Sequence, residues 1–168
     1  MNILRITLLL LSGAAVQTLL PTWAFAGNIE WPVLTALLIT ISLRAGGSSL
    51  IYAALLTGLL YDSFSPAPLG TSMPFFLLLG AGLYLLRDEV FADQLISYVI
   101  IGVTALLLKT VYFSIVFLVS GLRPLHPGLL AGRLGGGLVL GALTVPLVYL
   151  LLAMLRRALP VPGRRRQV

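Results

Sequence analysis

Gly58-Leu-Leu-Tyr-Asp62-Ser-Phe-Ser-Pro66-Ala-Pro68-Leu69-Gly70 is the stretch on which the reading of this chain turns. An apolar run precedes it and another follows. Pro66 and Pro68 bar regular helix through its middle, because proline lacks a backbone donor and pushes the residue before it out of the helical region. Gly70 permits a tight turn into the next apolar run. The stretch therefore reads as a rigid corner between two helices, with the Asp62 carboxylate where the first helix ends. A carboxylate at the edge of an apolar segment is costly, which makes Asp62 a functional candidate.

Composition says what those apolar runs are. The chain has 168 residues, 59% hydrophobic and 10% charged, with a mean hydropathy of +1.06. Such a chain is expected to be a polytopic membrane protein. A span takes about 20 mostly apolar residues, so the length allows about six, with no stretch left for a soluble domain. There are no cysteines and a single histidine, His126. This excludes disulfides, thiolate chemistry and a histidine metal cluster within one chain. No serine or cysteine nucleophile pairs with a histidine, no paired carboxylates fall within a span, and no phosphate-binding glycine loop occurs, so no enzyme and no cofactor are expected.

Working outward from the corner, the expected fold is all-α, a compact bundle of about six transmembrane helices. The spans fall at about 4–25, 31–43, 48–62, 69–86, 95–119 and 135–155, and 156–168 is a basic tail. The first run looks like a signal peptide ending in Ala24-Phe-Ala26, but its length and the Pro21 and Trp23 at its end suit a retained helix. Pro32 suits a first helical position. Basic residues set the orientation. With both termini cytoplasmic, Arg5, Arg44, Arg87 and the five tail arginines lie inside, against Arg123 and Arg133 in outer loops. The tail then reads as a topology and anionic-lipid signal rather than a nucleic-acid face.

Lys109, in Leu106-Leu-Leu-Lys109-Thr-Val-Tyr112, is the most costly residue, at on the order of 3 kcal/mol or more for an intramembrane ammonium. It stands 14 residues above the inner end of its span, as Asp62 does in its own. The two are expected to pair or to share a polar pocket. Tyr98, Gly102, Ala105, Lys109 and Tyr112 share one face of the fifth span, and Ala54, Gly58 and Asp62 share one face of the third. Small residues let backbones approach closely, so spans three and five are expected to pack face to face. The alternative is that Asp62 caps the loop while Lys109 snorkels outward. Gly128, Gly132 and Gly136, and Gly137 with Gly141, repeat at four-residue spacing and suit close helix contacts. Gln17 suits a hydrogen bond between helices.

These residues carry a resemblance. The segment from Ala54 to Gly70 is similar to the signature of the rod shape-determining MreD family, a Gly-apolar-apolar-x-Asp step followed by a short small-residue loop and Pro-Leu-Gly. Gly58, Asp62, Pro68, Leu69 and Gly70 all match it. The length, the basic C-terminus and a proline before the second span, Pro32, also fit. Val33 departs from the family, which often has a polar residue there. The likeness is specific over about 17 residues and general elsewhere. It implies a non-enzymatic, multi-pass subunit of the bacterial inner membrane, part of the cell-elongation machinery that directs peptidoglycan synthesis and cell shape. The implied partners are the bitopic protein MreC, the actin-like MreB, RodA and a class B penicillin-binding protein. The family also resembles, in its six-helix fold, the S-components of energy-coupling-factor vitamin transporters. A small-molecule-binding transport subunit, using residues such as Asp62, Lys109 and Tyr112, is therefore the competing expectation.

Overall fold

The computed structural model of the protein describes residues 3–22, 29–44, 46–65, 68–87, 95–121 and 127–158, without the side chains of 127, 129, 130 and 156–158. The expected Ala24–Ala26 end of the first span, Pro66, the 88–93 connection, Arg123, His126 and the end of the tail lie outside these residues. The described part is all-helical: α1 (Ile3–Leu19), α2 (Val33–Ser42), α3 (Gly47–Phe64), α4 (Ser72–Leu86), α5 (Leu95–Val119) and α6 (Pro127–Ala158).

Local chemistry explains the boundaries. α2 starts directly after Pro32. α3 stops at Ser65, which precedes Pro66 and takes the extended conformation that a following proline enforces (φ −97°, ψ 149°). Pro74 falls in the first turn of α4, where a missing donor costs nothing. α6 opens on Pro127, a favoured first helical position. It therefore starts eight residues before the expected 135 and takes Arg133 out of the loop that had been assigned to it. Pro146 within α6 leaves one helical hydrogen bond unmade.

The bundle is built around its shortest helix. All ten residues of α2 are buried, and α2 contacts each of the other five helices. Val-Leu-Thr-Ala-Leu-Leu-Ile-Thr-Ile-Ser has no polar face to give to solvent, and a helix apolar all round is stable only when enclosed. Ten residues span about 15 Å, half of a hydrocarbon core of about 30 Å. The 31–43 segment is thus a central pillar, shorter than a full span. Its hydroxyls turn inward on the helix: Thr40 donates to the Ala36 carbonyl (2.9 Å) and Ser42 to that of Leu38 (2.8 Å).

Around α2, α5 packs chiefly against α6 and α3 against α4, with α1 against α3 and α2. The expected face-to-face packing of the third and fifth spans does not occur. α3 and α5 meet through the rings of Tyr61 and Phe113, whose centroids are 5.2 Å apart, while their small-residue faces go to other helices. A Cβ on Gly58 would come within 2.7 Å of the Met73 Cα in α4. A Cβ on Gly102 would run into the Gly141 carbonyl, and one on Gly141 would come within 2.7 Å of the Gly102 oxygen. The close crossings are therefore α3 on α4 and α5 on α6. Of the glycines repeating along α6, Gly141 makes the crossing, whereas Gly128 faces open space, as does Gly135 outside the repeat.

The two ends of the bundle differ. At one, Arg44 lies over the Tyr149 ring (5.0 Å), Tyr149 stacks on Tyr98 (4.1 Å), and Arg87 lies over Tyr84 (4.3 Å). At the other sit the N-terminus of α2, the C-terminus of α3 and the facing halves of α5 and α6. Large apolar side chains also cover the outside of the bundle, among them Leu4, Leu78, Leu85, Ile96 and Met154. α5 and the 131–155 part of α6 are long and apolar enough to cross a membrane.

Candidate functional site

The described residues of the 58–70 stretch, 58–65 and 68–70, form a stapled corner. Asp62, 3% exposed, lies in the last turn of α3 and turns its carboxylate to the first turn of α4. Its Oδ2 accepts from the Gly70 amide (2.6 Å), and both carboxylate oxygens accept from the Ser72 amide (3.2 Å each). Ser72 opens α4, so the carboxylate satisfies an amide that the helix itself leaves unpaired and sits at the positive end of the helix dipole. Gly70 reaches it with φ +91°, a conformation that residues with a Cβ rarely adopt. The Pro68 carbonyl closes the turn by accepting from the Thr71 amide (3.2 Å) and hydroxyl (2.6 Å). The Tyr112 hydroxyl donates to the Thr71 carbonyl (2.8 Å) and so ties the corner to α5. Leu69 projects outward, 73% exposed.

Beside the corner is a cavity of about 260 Å³. Tyr61, the neighbour of Asp62, forms part of its wall. Among the described residues, the charged ones on it are Glu30 from the segment before α2, Lys109 from α5 and Arg133 from α6. Phe113 and Phe117 make the apolar wall, and the Thr110 and Ser114 hydroxyls are spent on α5 itself, donating to the Leu106 and Thr110 carbonyls (2.9 and 2.6 Å). The Lys109 ammonium lies 4.1 Å from the centroid of the Tyr61 ring, a cation–π contact.

The expected Asp62–Lys109 pair is therefore not formed. Asp62 spends its lone pairs on the α4 backbone, and Lys109 turns into the cavity. The two are neighbours by way of Tyr61, whose ring Lys109 touches, but only Lys109 lines the cavity. Gly58, Pro68, Leu69 and Gly70 serve the corner. Tyr112, a ligand contact on the transporter expectation, is a corner tie instead.

Two cavity residues went unrecognised in the sequence. Glu30 lies in the short connection before Pro32, and Arg133 had been placed in an outer loop. The signal for Arg133 was present in Pro127, which starts the helix early enough to include it. Gln17 connects this region to the core. Its Oε1 accepts from the Leu34 amide in the first turn of α2 (3.1 Å), and its amide nitrogen donates to Glu30 (3.5 Å). Trp31 donates from its indole to the Pro21 carbonyl (3.1 Å) and holds the chain ahead of α2 against the end of α1.

No family model, curated protein or solved structure matches this chain. The site is thus read on its own chemistry. It has no nucleophile activated by a base and no cluster of three metal-ligating side chains among the described residues. It can hold two backbones at a fixed angle, and it can bind.

Proposed function

We propose that this chain is a multi-pass membrane subunit, with no catalytic activity of its own, of the bacterial cell-elongation machinery, acting as the MreD family does. It would bind and orient the membrane helix of an MreC-like partner and so position peptidoglycan synthesis with MreB, RodA and a class B penicillin-binding protein. The observation that carries the reading is the corner. The residues that match the family signature are those with a distinct geometric task there: Gly58 at the α3–α4 crossing, Asp62 as the staple, Pro68 as turn acceptor, Gly70 at positive φ, and Leu69 left exposed. A motif spent on rigidity, with an apolar residue presented at its tip, suits assembly better than chemistry. The apolar outer faces support a lipid setting, because a solvated bundle rarely exposes so many leucines together. The Arg44 and Arg87 end would be cytoplasmic and the corner end periplasmic.

The cavity favours a second reading, a small-molecule-binding subunit like the S-component of a transporter, since a bundle serving only assembly has no need of charged groups around a void. Affinity purification from native membranes in mild detergent separates the two. Recovery of a single-span protein with a coiled coil and a periplasmic β domain is the expected result. Recovery of an energy-coupling membrane subunit with two cytoplasmic ATPases would overturn the assembly reading.

A further inference from the structure

From the cavity beside the corner we infer a binding site for a small anionic group, a phosphate or a carboxylate, held by Lys109 and Arg133. The inference does not depend on the assembly reading, and it gives the transporter reading its ligand class. Three observations lead to it. First, Asp62 is consumed by the Gly70 and Ser72 amides, so it is not the counter-charge of Lys109. Second, the Lys109 ammonium contacts an aromatic ring, 4.1 Å from its centroid, and faces an open volume. A ring offsets only part of the cost of removing an ammonium from water. Third, among the described residues the cavity carries two cationic side chains, Lys109 and Arg133, and one carboxylate, Glu30, beside the rings of Tyr61, Phe113 and Phe117. A ligand carrying negative charge suits that lining.

Size narrows the class. At about 30 Å³ for each water in the liquid, 260 Å³ holds the equivalent of roughly nine waters. That volume suits a lipid headgroup or a small acid. The aromatic walls favour a ligand whose anion is attached to an apolar body, with the anion toward Lys109 and Arg133 and the body against Phe113 and Phe117. Glu30 opposes the anion and limits its charge.

The test uses the full chain in nanodiscs. In one arm the nanodisc is phosphatidylcholine alone or an equimolar mixture with phosphatidylglycerol, and the lipid that stays bound is identified by native mass spectrometry. In the other arm sodium phosphate or sodium hexanoate is added to the phosphatidylcholine nanodisc, and the unfolding temperature is followed against sodium chloride at equal ionic strength. Retained phosphatidylglycerol identifies a lipid headgroup as the source. Stabilisation by phosphate or hexanoate identifies a free anion. Either supports the site if Lys109→Gln or Arg133→Gln weakens binding by about tenfold or more, as loss of a charged hydrogen bond does, and if Lys109→Arg retains it. Glu30→Gln should bind the anion more tightly, a gain that misfolding does not produce. Binding in neither arm, or binding that is the same in wild type, Lys109→Gln and Glu30→Gln, overturns the inference.

Discussion

The Asp62 carboxylate holds two amides of the next helix, and each bond is charge-assisted. Removing it strands buried donors, so Asp62→Ala should cost about 2–4 kcal/mol of stability. Asp62→Asn keeps an acceptor oxygen and should cost about 1 kcal/mol, mainly the lost interaction with the helix dipole. Ser72→Ala should be close to neutral or slightly stabilising, because Asp62 engages the Ser72 backbone while the buried hydroxyl has no hydrogen-bond partner among the described residues. Reversible unfolding in detergent by denaturant titration checks all three. Equal losses in Asp62→Ala and Ser72→Ala would contradict the staple. Gln17 makes a parallel case on α2. The Leu34 amide depends on it in the buried first turn, and Gln17→Leu should cost about 1–3 kcal/mol by the same measurement. Both residues were legible as special, since a carboxylate and an amide stand out in apolar runs. Their partners were not, because main-chain amides exist at every residue and leave no mark in a sequence.

At the scale of elements, the crossings rest on glycine. Gly102 and Gly141 meet backbone to backbone, each blocking a Cβ on the other. Gly102→Leu and Gly141→Leu should each push α5 and α6 apart and lower the unfolding midpoint strongly, by about 2 kcal/mol or more as overpacking does. Gly135 lies in the same helix and faces open space. There Gly135→Ala should stabilise by roughly 0.5–1 kcal/mol, the difference in helix propensity. A series in which position 135 proves as sensitive as position 102 would contradict the α5–α6 crossing. Four-residue spacing marked helix faces capable of close approach at Gly58, Gly102 and Gly141, though not at Gly128. It did not say which helix would come close, since Ala54, Gly58 and Asp62 suit any small-residue partner. The choice of α4 over α5 comes from chain connectivity: the short 65–71 corner holds the end of α3 beside the start of α4.

For the whole molecule, the test is orientation. Gly46 lies exposed at the arginine end and Ser63 exposed beside the corner. The chain has no cysteine, so single substitutions can be labelled without background. In intact cells with a permeable outer layer, a membrane-impermeant maleimide should react with Ser63→Cys and spare Gly46→Cys. After lysis both should react. Labelling of Gly46→Cys before lysis would reverse the proposed topology. The asymmetry of basic residues motivates this expectation, and the helix ends keep Arg44 and Arg87 away from Lys109 and Arg133.

What the sequence determined by itself is an all-helical molecule: long apolar runs, helices bounded by prolines, and a corner at 58–70 whose proline and glycine positions admit little else. These are local properties, set by backbone sterics and composition. Tertiary structure alone decided that the second apolar run becomes an enclosed pillar of ten residues, that Asp62 turns to a helix end instead of a lysine, and that Glu30, Lys109 and Arg133 share one cavity. Each depends on which groups distant in the chain are brought within a few ångströms. A carboxylate is satisfied as well by two amides as by an ammonium, so packing makes that choice.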